Sequence, residues 1–145
     1  MSGAVDYLFN QAAHAAKQDV TGRPLSDAER QQYSPYFPES VLNTAVVYDG
    51  KVPGWLRSDM DGITLGKEIY FRSDVYVPDT APGVEILGHE LVHVGQYQNG
   101  MTYVSYMWES VINGYRNNKY EVEAYAKGAK IRADFCTANP GKQGC

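Results

Sequence analysis

Residues 87–97 read L-G-H-E-L-V-H-V-G-Q-Y, and two of the chain's three histidines, His89 and His93, stand there with Glu90 directly after the first. At about 3.6 residues per turn, that spacing puts the two imidazoles about 40° apart on one face of a helix, roughly 5.4 Å apart along its axis. Leu87, Leu91, Val94 and Gln98, with Val84 beside them, fall on the opposite side. Gly88 and Gly95 share a third side, where a neighbouring element can approach closely. Glu90 is turned about 100° from His89, so it can lie beside a cation without binding it. Two imidazoles and an adjacent carboxylate supply what a metal-activated water requires, namely ligands and a general base. The competing reading is a pair of core histidines hydrogen-bonded to backbone or tyrosine. The spacing and the register of the glutamate favour the metal.

Zinc takes three or four protein ligands, so a third must come from elsewhere. Glu109, Glu121 and Glu123 lie downstream and His14 upstream. Helical phase separates two of these. Glu123, Lys127, Lys130 and Asp134 share one face, with Glu123–Lys127 and Lys130–Asp134 spaced as opposite-charge pairs. That is a solvated face. Glu121 points the other way, among Ala124, Tyr125, Gly128 and Arg132. Asn118 three residues before it also forms a capping pair with Glu121, a role that competes for the same carboxylate. The orphan histidine pair decides for Glu121 as the ligand, with Glu109 and His14 as lesser alternatives.

The elements that must position these side chains read as follows. Residues 4–17 carry Val5, Leu8, Phe9, Ala12 and Ala16 at helical spacing. Ser26 and Glu29 form a capping box for a short second helix, stopped by Pro35 and Pro38. Residues 43–48 (NTAVVY) predict a strand, and residues 63–71 a hairpin around Gly66-Lys67. The histidine helix spans 82–98, capped by Asp79 or Thr80 and ended by Asn99-Gly100. Two further helices fill 101–135, the second starting at Asn118, and 136–145 is a tail. The fold class is α+β in one domain over 1–145: N-terminal helices in 1–42, strands and a hairpin in 43–72, then helices.

Composition narrows the function. Net charge is −4 with acids and bases interspersed and no basic run, which argues against nucleic acid as a partner. No apolar stretch reaches the length of a membrane span. The first residues, MSGAVDYLFNQAAHAAK, lack the basic and apolar regions of a secretory signal, so a cytoplasmic location in the producing cell, or export by a non-classical or injection route, is expected. The twelve tyrosines are read as core-filling residues. Cys136 and Cys145 flank turn formers, and a disulfide and two free thiols are equally compatible with that spacing.

His89-Glu90-Leu91-Val92-His93, followed by Glu121-Val122-Glu123-Ala124-Tyr125, resembles the gluzincin metallopeptidases. The ordered set R-P-L-S-D-A-E-R (23–30), D-M-D-G-I-T-L-G (59–66), I-Y-F-R (69–72), L-G-H-E-L-V-H-V-G-Q-Y (87–97) and G-Y-R-N-N-K-Y-E-V-E-A-Y-A (114–126) is more similar to the small metallopeptidase-like domain associated with extracellular contractile injection systems and secreted bacterial toxins. The resemblance implies a zincin-like fold, with Zn²⁺ held by His89, His93 and Glu121 and with Glu90 as general base. Many gluzincins place an aspartate four residues after the ligand glutamate, where it orients the first histidine; here that position is Tyr125. Tyr125 is taken as a catalytic residue alongside Glu90. Tyr115, Arg116 and Arg132 remain open with it as donors to a developing oxyanion. The expected reaction is zinc-dependent peptide-bond hydrolysis by a metal-bound water on a polypeptide substrate, in a chain that belongs to a larger secreted effector or injection system. The alternatives are a non-catalytic zinc-stabilised toxin or interaction module, and a zinc amidase acting on cell-wall peptides.

Overall fold

The structure, a computed structural model, describes residues 21–145. The helix expected over 4–17, and His14 within it, lie outside the described residues. Strand β1 (Arg23–Pro24) is followed by helices α1 (Asp27–Tyr33) and α2 (Glu39–Leu42), then strands β2 (Val46–Asp49), β3 (Gly62–Leu65) and β4 (Glu68–Phe71). Helices α3 (Ala81–Gln98), α4 (Tyr103–Asn113) and α5 (Lys119–Ala138) complete the chain, with a single 3-10 turn at Tyr115–Asn117 between the last two. This is a small α+β arrangement, as its sequence predicts.

The four strands form one sheet in the order β1-β2-β4-β3. β3 and β4 are the expected antiparallel hairpin, with Gly62 opposite Phe71 and Leu65 opposite Glu68. β2 runs parallel to β4, from Val46 opposite Glu68 to Asp49 opposite Phe71. Strand side chains alternate between faces. Val47, Ile69 and Phe71 therefore join the helical core, while Tyr48, Leu65 and Tyr70 build a second cluster on the other face. Tyr48 and Tyr70 stack there with ring centroids 4.7 Å apart.

Several boundaries differ from expectation, each for a local reason. The strand placed at 43–48 starts only at Val46 because α2's last turn consumes the residues before it: Asn43 N–H bonds Glu39 O, and Ala45 N–H bonds Val41 O. β1 was not foreseen; its two residues, Arg23 and Pro24, pair antiparallel with Val47 and Val46. The segment at 136–145 is not a loose tail. Cys136 and Cys145 are disulfide-bonded, and Gln143 O accepts the Ala81 N–H at the start of α3 at 2.9 Å. The capping box at Ser26 and Glu29 forms as read. Burial works against the charge on Glu29, but hydrogen bonds from Arg23, Tyr76 and the Ser26 amide bring its pKa down to about 2.

α3 is the central element. Leu87, Leu91 and Val94 on its apolar side are fully buried, each contributing about 1.5–3 kcal/mol by removal from water. At Gly88 the helix lies against α5: a Cβ there would come within 2.7 Å of Ile131 Cδ1, so any larger residue would force that side chain to move. Gly95 makes merely ordinary contact with Val41. The close crossing of α3 and α5 brings the histidines to the first turn of α5.

A candidate metal centre at the α3–α5 crossing

The two ends of the site are set by caps. Thr80 accepts the Gly83 N–H at 3.1 Å and starts α3. Asn118, fully buried, accepts the Tyr120 N–H at 2.9 Å and starts α5. Its amide group also donates to Tyr106 O at 3.0 Å and Ser110 Oγ at 2.9 Å, which ties α4 to the same point. Asn118 thus caps without Glu121, which is released from the competing role that its spacing offered.

Glu121 turns inward to the histidines. Its Oε1 lies 2.9 Å from His89 Nε2 and 3.2 Å from His93 Nε2. Its Oε2 accepts a hydrogen bond from the Tyr106 hydroxyl. The ligand atoms of His89, Glu90 and His93 all lie within 4.8 Å of one another, and this buried group could hold a metal ion. Glu121, only 3 % exposed, meets the same two ring nitrogens. Four expected residues, His89, Glu90, His93 and Glu121, are therefore brought together.

Glu90 is oriented by the sheet. Thr64 on edge strand β3 donates to Glu90 Oε1 at 2.9 Å, leaving Oε2 3.8 Å from His89 Nε2. The site's charges are strongly interlocked. Burial opposes ionisation of Glu121, yet hydrogen bonds from His89 and His93, the charge on His93 and the Tyr106 hydroxyl hold it far below the ordinary carboxylate range. Burial likewise opposes a charged His93, but its hydrogen bond to Glu121 and the fields of Glu90 and Glu121 push its pKa up to about 9. Burial and the Glu121 charge raise Tyr106 well beyond its ordinary value, so it remains a donor.

One side of the centre opens to a groove of about 610 Å³, lined in part by Asp61, Gly62, Glu85, His89, Glu90, Tyr115, Arg116 and Tyr125. Tyr125 reaches His89 with its ring rather than its hydroxyl: the two rings meet edge-on at 4.5 Å. The Tyr125 hydroxyl pairs with that of Tyr115 at 3.2 Å. Arg132 is engaged elsewhere, donating to Glu85 Oε1 at 2.8 Å and Gly144 O at 3.0 Å. Glu109 Oε1 accepts from the Asn113 side chain at 3.0 Å and from the Lys119 N–H at the start of α5 at 3.5 Å, and is no rival ligand. Glu123 is indeed turned outward, but it accepts from Gln96 Nε2 at 2.9 Å, while Lys127 lies over the Phe37 ring at 4.4 Å. The expected Glu123–Lys127 pair is thus replaced, whereas Lys130–Asp134 forms at 3.1 Å.

Three supporting residues were not foreseen from sequence: Thr64, Tyr106 and Gln96. Gln96 stands three residues after His93, on the neighbouring helical position, and that spacing was a usable signal. Thr64 and Tyr106 approach from other elements, and nothing local in the sequence marks them.

The eCIS core domain family model matches residues 24–101, more than half of the chain. The chain belongs to that family, which associates it with extracellular contractile injection systems. The match includes both histidines and Glu90 and stops before Glu121. No curated protein and no solved structure matches the chain. None of the helices in the described residues is long and apolar enough to cross a membrane.

Proposed function

We propose that the protein is a zinc-dependent peptidase of gluzincin type, working within or delivered by an injection system. The carrying observation is the convergence of His89 Nε2, His93 Nε2 and Glu121 Oε1, at 2.9 and 3.2 Å across the two histidine–glutamate pairs. Around a tetrahedral zinc with bonds of about 2.0–2.1 Å, neighbouring ligand atoms sit about 3.3 Å apart, so the donor set fits zinc in chemistry and in spread. Two neutral imidazoles and one carboxylate would hold the ion and leave a position free. Bound there, zinc supplies a Lewis acid that polarises a carbonyl and acidifies water.

The chain's own residues do the rest. Thr64 fixes one oxygen of Glu90, and the other faces the histidines as the acceptor for a proton from water. Glu90 then returns that proton to the departing amine. Tyr106 keeps Glu121 ionised and in place. Tyr115, Arg116 and Tyr125 line the groove beside His89 and are the donors available to a developing oxyanion. β3 is an edge strand whose first residue, Gly62, lines the groove. An extended peptide laid along that edge passes the metal site.

The test has two arms. Zinc content is measured in the wild type and in Glu121→Ala, Glu123→Ala and Glu90→Gln; the reading expects loss in Glu121→Ala alone. Cleavage of an unfolded protein is then compared between wild type and Glu90→Gln. Zinc binding with equal cleavage in both, or with none, would identify instead a metal that stabilises a non-catalytic module. Cleavage of cell-wall peptides but not of proteins would make the enzyme an amidase.

A further inference from the structure

The structure assigns to Gln96 the role of a positioning residue that fixes which nitrogen of His93 is offered to the metal. This rests on the reading of His93 as a ligand through Nε2.

The assignment follows from donor and acceptor chemistry. The Gln96 amide nitrogen lies 3.0 Å from Tyr120 O and 2.9 Å from Glu123 Oε1. A backbone carbonyl and a carboxylate can only accept, so the amide NH₂ must face that pair. The amide oxygen is thereby turned to the other side, where it lies 2.7 Å from His93 Nδ1. A carbonyl oxygen at that distance needs a hydrogen on Nδ1. Whatever stands at Nε2, a proton directed at Glu121 or a cation, Nδ1 keeps its hydrogen on Gln96. The neutral ring is then held with its lone pair at Nε2, on the side of Glu121. Rotating the amide by 180° would set NH₂ against Nδ1 and an oxygen against two acceptors, so the neighbours lock the orientation.

The same side chain couples the tautomer to the third ligand. Tyr120 directly precedes Glu121, so the bond from Gln96 to Tyr120 O pins the first turn of α5 against the last turns of α3. Glu123, one turn-face away from the site, contributes as the second acceptor that orients the amide. A carboxylate that resembles a solvated surface charge is in this way part of the support of the centre.

The experiment uses the whole chain and the variants Gln96→Leu, Glu123→Ala and the exchange Gln96→Glu with Glu123→Gln. Proton–nitrogen spectra of the imidazoles report the tautomer directly, in the zinc-loaded chain and in the zinc-free chain at a pH that neutralises the ring. Zinc affinity is measured alongside, with thermal melting to confirm folding. The wild type is expected to show the Nδ1–H form of His93 alone in both states. Gln96→Leu should mix the two forms and weaken zinc by about 10–100-fold, the range for loss of a partner behind a ligand histidine. The exchange variant restores an acceptor at Nδ1 and lets the amide introduced in place of Glu123 donate to it, while Tyr120 O loses its donor, and should return the single Nδ1–H form with only part of the affinity. Glu123→Ala, which leaves Tyr120 O to orient the amide, should keep the tautomer. A wild type that populates the Nε2–H form, or a Gln96→Leu chain that loses zinc with its tautomer unchanged, would overturn the assignment. A chain that binds no zinc but shows the locked Nδ1–H form defeats the peptidase reading and leaves the Gln96 assignment standing.

Discussion

The two histidines of one helix live in different surroundings. His93 is enclosed: Gln96 holds one nitrogen, Glu121 meets the other, and Glu121 is itself backed by Tyr106. His89 shares Glu121 but lines the groove, with the ring of Tyr125 edge-on beside it and Glu90 turned toward the same space. The closed half is built like a ligand cradle, in which every polar group has a partner before any ion arrives. The open half keeps Glu90 Oε2, the proposed base, next to the groove. On the proposed reading, with His89 shared between the halves, the supports of the ion and the residues that would use it are separable.

The largest expected effect lies in the open half. Glu90→Gln should lower cleavage by about 10²–10⁴, the usual range for loss of a positioned general base, while zinc content stays at the wild-type level. Loss of zinc together with activity would erase the distinction, because Glu90 would then be serving as a ligand. The closed half gives the converse result. Tyr106→Phe strips Glu121 of the donor behind its second oxygen and should weaken zinc by about 10–100-fold. Tyr125→Phe, in the open half, should leave zinc affinity within a few-fold and act on turnover; equal affinity losses in the two tyrosine variants would collapse the comparison.

The closed half should also write its charge state into stability. In the zinc-free chain His93 has its pKa raised from the ordinary 6.5 to about 9, where the attraction of Glu121 and Glu90 outweighs the burial that opposes it. A group whose folded pKa is raised contributes fully below its unfolded pKa and loses the contribution as pH climbs through the folded one. Metal-free protein should therefore lose of the order of 1–3 kcal/mol between about pH 6.5 and 9. Zinc affinity should rise over the same window, since the ion must displace a proton from Nε2. Chemical denaturation of the metal-free chain across that range is the check, and a flat profile would show that Glu121 is not paired with a charged His93.

The histidine helix, the hairpin and the inward turn of Glu121 were legible because each is encoded within one stretch of chain. A four-residue histidine spacing, a Gly-Lys turn between β-rich runs and the phase of Glu121 against Glu123 are all local patterns. What sequence could not supply was the partnership between elements. Thr64 reaches Glu90 only because β3 ends up as the sheet edge beside α3, and Tyr106 reaches Glu121 only because Asn118 ties α4 to the start of α5. Parallel pairing of β2 with β4 is equally non-local. The Glu123–Lys127 pair failed for a related reason: a shared helical face permits a pair, but Gln96 and Phe37, from other elements, offered better partners. Glu121 raises the same issue in reverse, since its capping role was a local alternative that the packing of Asn118 made unnecessary.

The smallest expected effect lies on α4, whose two faces repeat the comparison within one helix. Tyr106 points to the centre, whereas Val111 and Ile112 are 70 % and 71 % exposed, and Trp108 and Met107 beside them are exposed too. An apolar stripe turned to solvent contributes little to folding of the isolated chain. Ile112→Ser should therefore change stability by no more than about 0.5 kcal/mol and leave zinc affinity unaltered, although it lies less than two turns from Tyr106. Urea denaturation with a zinc titration measures both. A loss above about 1 kcal/mol would mean that Ile112 is covered in solution, and that the helix supporting Glu121 is steadied from its outer face as well as its inner one.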